Sequence, residues 1–166
     1  MNRSIHLKFW FFDNYWWLLV LLAAVATGLL VFIKEPVASV AAMAGAVLSL
    51  LYFVQKQRLE EVRLFRELFK EFNERYDAMN DRLARIRDID DGEFAQGEAQ
   101  LLIDYFNLCG EEYLYFSKGY IPPSVWEAWY LGMQQTISCP RINELWRGEC
   151  AGGSYYGLPL RPFKHA

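Results

Sequence analysis

The sequence predicts an all-α protein: a two-helix transmembrane hairpin whose second span continues into a long cytoplasmic helix packed by shorter helices. Three observations predict it. Two uncharged apolar runs, Tyr15 to Ile33 and Val37 to Val54, are separated only by Lys34-Glu35-Pro36. A segment free of glycine and proline, Gln55 to Asp88, carries apolar residues three and four apart. Beyond it, glycine and proline punctuate shorter segments with wide apolar stripes.

The first run, YWWLLVLLAAVATGLLVFI, has 19 residues. As a helix it rises about 28 Å, close to the ~30 Å hydrocarbon core of a bilayer. The second, VASVAAMAGAVLSLLYFV, is shorter and less apolar, and needs a neighbour to span. Pro36 stands where a helix start tolerates its missing N–H. A cleaved signal peptide would explain Arg3 and Lys8 as a basic leader, but the apolar run continues past Ala24-Val25-Ala26 and a second run follows at once. Neither run has a polar stripe, as a core helix of a soluble domain would.

Basic residues flank the hairpin on one side: Arg3 and Lys8 before it, and Lys56, Arg58, Arg63 and Arg66 after it. Both termini are therefore expected in the cytoplasm, and Phe9 to Phe12 with Tyr15 to Trp17 form an aromatic girdle at that boundary. Residues 1–14 are expected to lie along the interface. Small residues recur at spacings of three and four: Ala24 and Gly28 on the first span, and Ala38, Ala41, Gly45 and Ser49 on the second. They allow close helix packing, within the hairpin or between copies. No ionisable residue lies inside either span, which disfavours a proton relay or a charged ion site.

The mean hydropathy of +0.01 averages two unlike parts. Residues 15–54 carry only Lys34 and Glu35, whereas residues 55–88 hold nine basic and eight acidic groups. Residues 89–130 hold eight acids against Lys118, a balance unsuited to nucleic acid. Three cysteines, Cys109, Cys139 and Cys150, with only His6 and His165 as companions, make neither a disulfide framework nor a zinc site. A reducing compartment is expected, with Cys109 buried.

In the long helix, Val62, Phe65, Phe69, Phe72, Tyr76, Met79, Leu83 and Ile86 form a heptad seam. Charges surround it in pairs such as Glu71 with Arg75. The bulky rings suit packing on helices of the same chain better than a coiled-coil dimer, although the seam permits a homo-oligomer. Asp90-Asp91-Gly92 should end this helix. A second should run from Glu93 to Ser117 and stop at Gly119, a third from Ser124 to about Ile137 after the Pro122-Pro123 turn, and a short fourth from Arg141 to Trp146, closed by Gly148. Residues 55–148 thus make one helical domain, and residues 149–166 read as a flexible tail ordered only by a partner.

The stretch DYFNLCGEEYLYFSKGYIPPSVWEAWYLGM, with FxELFxEFNxRYDxMN in the long helix, resembles a group of small bacterial inner-membrane proteins with an N-terminal two-helix hairpin and an aromatic-rich helical cytoplasmic domain. The resemblance covers most of residues 15–147. It implies a bacterial inner membrane and carries over no functional residue.

No phosphate loop, GxSxG elbow or HExxH is present, and no cofactor or enzyme activity is expected. Asp104, Glu111 and Glu112 could face a cation from one side of a helix, but a solvated acidic face explains them equally well, and no metal is expected. The candidate partner surface is Tyr113, Tyr115, Tyr120, Trp126 and Trp129 around the Pro-Pro turn, with core filling as the competing role. Two functions follow as expectations. One is a membrane-anchored interaction or scaffold protein presenting its domain to a protein partner. The other is an oligomerising membrane effector of the phage-defence type, which perturbs the bilayer when triggered.

Overall fold

The computed structural model describes residues 3–32, 37–89 and 92–162, and within them the chain forms five α-helices and one 3-10 turn, with no strand. The Lys34-Glu35-Pro36 turn, the Asp90-Asp91 pair and residues 163–166 lie outside the described residues. The chain divides into two compact units, Met1–Leu64 and Phe65–Ala166.

The first unit contains α1 (Arg3–Phe32) and the first part of α2 (Val37–Arg87). The passage from the second apolar run into the charged segment is unbroken, as expected: α2 is one helix of 51 residues. Past Gly45 it contains no helix-breaking residue. The segment before the first apolar run, from Arg3 onward, is the opening part of α1. Lys8 Nζ on α1 sits 3.1 Å from Glu61 Oε1 on α2. Lys8 lies 24 residues before Phe32 and Glu61 lies 24 after Val37, so the opening of α1 is brought beside the middle of α2.

Polar side chains on these helices are satisfied locally. Asn14 Nδ2 donates to the Trp10 carbonyl, Thr27 Oγ1 to Ala23 and Ser49 Oγ to Gly45, each at 2.8 Å and one turn back. Both helices contain a stretch long and apolar enough to cross a membrane, of which only 6% and 0% is buried.

The second unit takes α2 from Phe65 onward, α3 (Glu98–Ser117), α4 (Pro123–Ile137), α5 (Pro140–Cys150) and the 3-10 turn Tyr155–Gly157. The buried stripe of α2 runs through Leu68, Phe72, Leu83 and Ile86. Phe69, placed on the seam by the heptad reading, is 40% exposed and Val62 is 56% exposed. The reason is the period. An unsupercoiled helix drifts by about 20° per heptad, so the stripe facing several helices moves off a strict 3.5-residue seam.

Helix ends follow glycine and proline, with two corrections. α3 begins at Glu98 rather than Glu93, because Gly92 and Gly97 take φ of 109° and 82° and the Glu98 carboxylate accepts the Ala95 N–H at 2.8 Å. Its end is as expected: Gly119 has φ 77°, and its N–H and that of Tyr120 donate to Phe116 and Tyr115 in a Schellman motif. Pro122 and Pro123 open α4. Gly148 does not close α5, which continues to Cys150. One glycine inside a helix costs only about 1 kcal/mol, which packing overrides.

Residues 149–162, part of the run expected to need a partner for order, pack on their own chain. Tyr155, Leu158 and Leu160 are buried, and the Trp146 indole N–H donates to the Leu160 carbonyl at 3.3 Å. Tyr130 Oη donates to Pro159 and Gln134 Nε2 to Arg161. Tyr155 and Tyr156 hold φ of 61° and 56°, a conformation disfavoured for non-glycine residues. The rings of Phe106, Trp146 and Tyr155 form one cluster, with centroids 5.0 to 6.2 Å apart. Buried Arg141 joins α5 to the end of α2: its guanidinium donates to the carbonyls of Ile86 and Glu93 and lies 4.5 Å from the Phe94 ring centroid.

A Cβ on Gly110 would approach Tyr155 Cα to 3.2 Å and its Cβ to 3.3 Å, so α3 and the 3-10 turn meet with no room for a side chain. Gly110→Leu is expected to displace the turn at a cost of about 1–3 kcal/mol. Limited proteolysis should then cleave the full chain faster after residue 150. Cleavage at the wild-type rate would contradict this packing.

Candidate functional site

Polar chemistry in the second unit gathers where α2, α3 and α4 meet. Arg75 on α2 and Glu111 on α3 form a two-pronged ion pair, with Nη1 to Oε2 at 2.5 Å and Nη2 to Oε1 at 3.2 Å. The i,i+4 partner expected from sequence, Glu71, lies at 3.8 Å and is the weaker contact. The guanidinium is pushed up from its ordinary value by the Glu111 hydrogen bond, against the effect of burial. The pair is more than a third exposed, so solvent screening keeps its contribution small.

The next residue behaves differently. Glu112 is only 7% exposed. Among the described residues its carboxyl makes no hydrogen bond or ion pair, yet its oxygens keep some contact with solvent, since the one fully buried side-chain atom without a partner is Arg141 Nε. Burial pushes it up to about 8, with Arg75 opposing and Glu111 adding to the rise. The carboxyl therefore stays largely protonated at neutral pH.

Glu112 borders a cavity of about 210 Å³ together with Asn73 and Tyr76 of α2, Tyr105 of α3, and Trp129, Gly132 and Met133 of α4. Tyr105 Oη contacts Thr136 Oγ1 at 3.4 Å, and Thr136 in turn donates to the Gly132 carbonyl. Burial drives both the Tyr105 phenol and the Cys109 thiol well up. Cys109 is buried as expected, and that burial disfavours its thiolate.

The sequence-predicted groups fall as follows. Trp126 of the candidate partner surface belongs to the core, stacked on Phe116 at 4.8 Å with the planes 9° apart. Tyr113 packs against Trp126, Tyr115 against Phe72, and Trp129 against both Phe69 and Phe72. Tyr120, 39% exposed, is the outward ring of that set. On the seam, Phe65, Tyr76 and Met79 are half-buried, between the exposed Val62 and Phe69 and the buried Phe72, Leu83 and Ile86. The small residues Ala24, Gly28, Ala38, Ala41, Gly45 and Ser49 are all exposed, with nothing within 4 Å of a Cβ built at Gly28 or Gly45.

Asp104 takes a hydrogen bond from Gln100 Nε2 at 3.0 Å and lines an open pocket with Arg75 and Glu111, whereas Glu112 borders a different one. Among the described residues no three metal-ligating side chains converge. Glu112 was the residue whose burial the sequence reading missed. Its position was legible, since 105, 109, 112 and 116 recur at helical spacing on the buried side of α3.

In the unfolded chain Glu112 ionises near 4.5, and in the fold at about 8. Between those values the folded state holds the extra proton, so stability falls as pH rises and levels off above 8. At about 1.36 kcal/mol per unit, the whole interval is worth at most roughly 5 kcal/mol. Glu112→Gln should abolish this decline, leaving the variant roughly 2 kcal/mol or more ahead of wild type at alkaline pH and near parity in acid. Thermal unfolding of both chains at the two extremes tests it, and parallel curves would refute the burial of an ionisable group.

No family model, curated protein or solved structure matches this chain.

Proposed function

We propose that this chain is a membrane-anchored helical scaffold: α1 and the first part of α2 form a transmembrane hairpin in a bacterial inner membrane, and the second unit is presented to a protein partner in the cytoplasm. The observation that carries the reading is uncovered apolar surface. Trp16, Trp17, Leu21, Leu22, Val25 and Phe32 on α1 are exposed, as are Leu48, Tyr52 and Phe53 on α2. A soluble core helix of this composition would be mostly buried, whereas lipid covers such a surface at no cost. Two further features support it. The backbone carbonyls satisfy Thr27 and Ser49 within their own helix, as a water-free surround requires. The Lys8 to Glu61 pair fits a hairpin whose two polar ends share one side.

A second reading, an effector that assembles in the bilayer, is favoured by one observation. The small-residue positions Gly28 and Gly45 face outward with open space beside them, as a face awaiting another copy would.

Alkaline carbonate should leave the chain in the membrane pellet, and release into the supernatant would end the anchoring proposal. A reporter fused after Ala166 should be active only in the cytoplasm. For the effector reading, Gly45→Leu should abolish cross-linked oligomers in membranes. Oligomers or overexpression toxicity that persist in this variant would count against assembly through that face.

A further inference from the structure

Glu112 is a largely buried acid bordering a partly open cavity, and no side chain among the described residues hydrogen-bonds it. Its neighbours around the cavity of about 210 Å³ are the rings of Tyr76, Tyr105 and Trp129 and the amide of Asn73, and no basic side chain lines the wall. A carboxyl this deep in the fold is poorly hydrated, so a charge that pairs with it there interacts more strongly than it would in bulk water. An anion would meet a carboxyl there, and a purely apolar guest would leave the carboxyl unsatisfied. A positive charge suits both the acid and the electron-rich rings. The volume is below the ~300–1,000 Å³ of drug-sized sites and admits a guest of only a few heavy atoms.

We propose that the cavity between α2, α3 and α4 binds a small organic ammonium ion, held by the Glu112 carboxylate and the rings of Tyr76, Tyr105 and Trp129. The site lies wholly within the second unit and stands independently of the membrane reading.

Binding is an exchange of cations. The ammonium ion enters, the Glu112 O–H proton leaves for bulk water, and no covalent bond to carbon changes. The titratable groups around Glu112 are Arg75 and Tyr76 on α2, and Tyr105, Cys109 and Glu111 on α3; α4 contributes none to the wall. Arg75 and Glu111 neutralise one another, and burial keeps Tyr105 and Cys109 protonated. Glu112 is therefore the proton donor. Affinity rises about tenfold per pH unit below its titration and levels off above it.

Calorimetric titration of the full chain in mild detergent tests this, with methylammonium, ethylammonium and tetramethylammonium chlorides as probes and sodium chloride as the ionic control. Two buffers of different ionisation heat count the protons released. At least one ammonium probe should bind where sodium does not, release close to one proton at about pH 7, and gain roughly tenfold in affinity between about pH 6 and about pH 7. Glu112→Gln should lose at least about tenfold in affinity and all the proton release. The proposal is overturned if no ammonium probe binds better than sodium, if binding releases no proton, or if a folded Glu112→Gln retains wild-type affinity. Should that variant fail to fold, the proton count and pH slope of the wild type decide alone.

Discussion

Flat rings pressed between helices are what the second unit depends on. Phe72 lies edge-on to Tyr115 and Trp129, Phe116 stacks on Trp126, and Phe106 meets Trp146 and Tyr155. Each ring buries about 150–250 Å², which gives a domain of this size a core that shorter side chains would not fill. The same rings decide where polar groups go. Arg75 and Glu111 pair at the edge of the aromatic layer, where water still reaches them, while Glu112 one position on is drawn behind it. A single step along α3 thus separates a solvated carboxylate from a neutral acid.

Much of this architecture was written in local patterns. The three- and four-residue spacing from Phe65 to Ile86 encodes the amphipathic half of α2, and the Pro-Pro turn and Gly119 encode the boundary between α3 and α4. What stayed hidden depended on partners far away in the chain. Arg75 is 36 positions from Glu111, so the nearer Glu71 looked like its partner. Arg141 reads as a surface cation in a short charged helix, and only the approach of α5 to the end of α2 turns it into a buried clamp on the Ile86 and Glu93 carbonyls. The residues past Cys150 have no period to read, since their order comes from fitting against Gly110 and Trp146 rather than from any regular structure of their own. Glu112 was visible by spacing but read by residue type, and spacing was the better guide.

The first unit obeys a different economy. The ion pair of Lys8 with Glu61 is partly solvated. A Cβ built at Gly28 or Gly45 meets nothing within 4 Å, and large apolar side chains such as Trp17, Leu21 and Phe32 are exposed. That unit leaves much apolar surface uncovered, whereas the second buries a core of its own. Two halves of one uninterrupted helix serve these unlike needs, and the change in composition after Val54 marks the passage from one to the other.

The Phe106, Trp146 and Tyr155 cluster has a consequence for how the chain is made. Synthesis is vectorial, and domains form as their residues emerge. Phe106 sits on α3, yet two of the faces that cover it arrive with α5 and with the turn after it. Until Tyr155 to Leu160 have left the ribosome, the centre of the nascent domain stays open to water and to chaperones. The segment that reads as a flexible tail is the one that closes the fold.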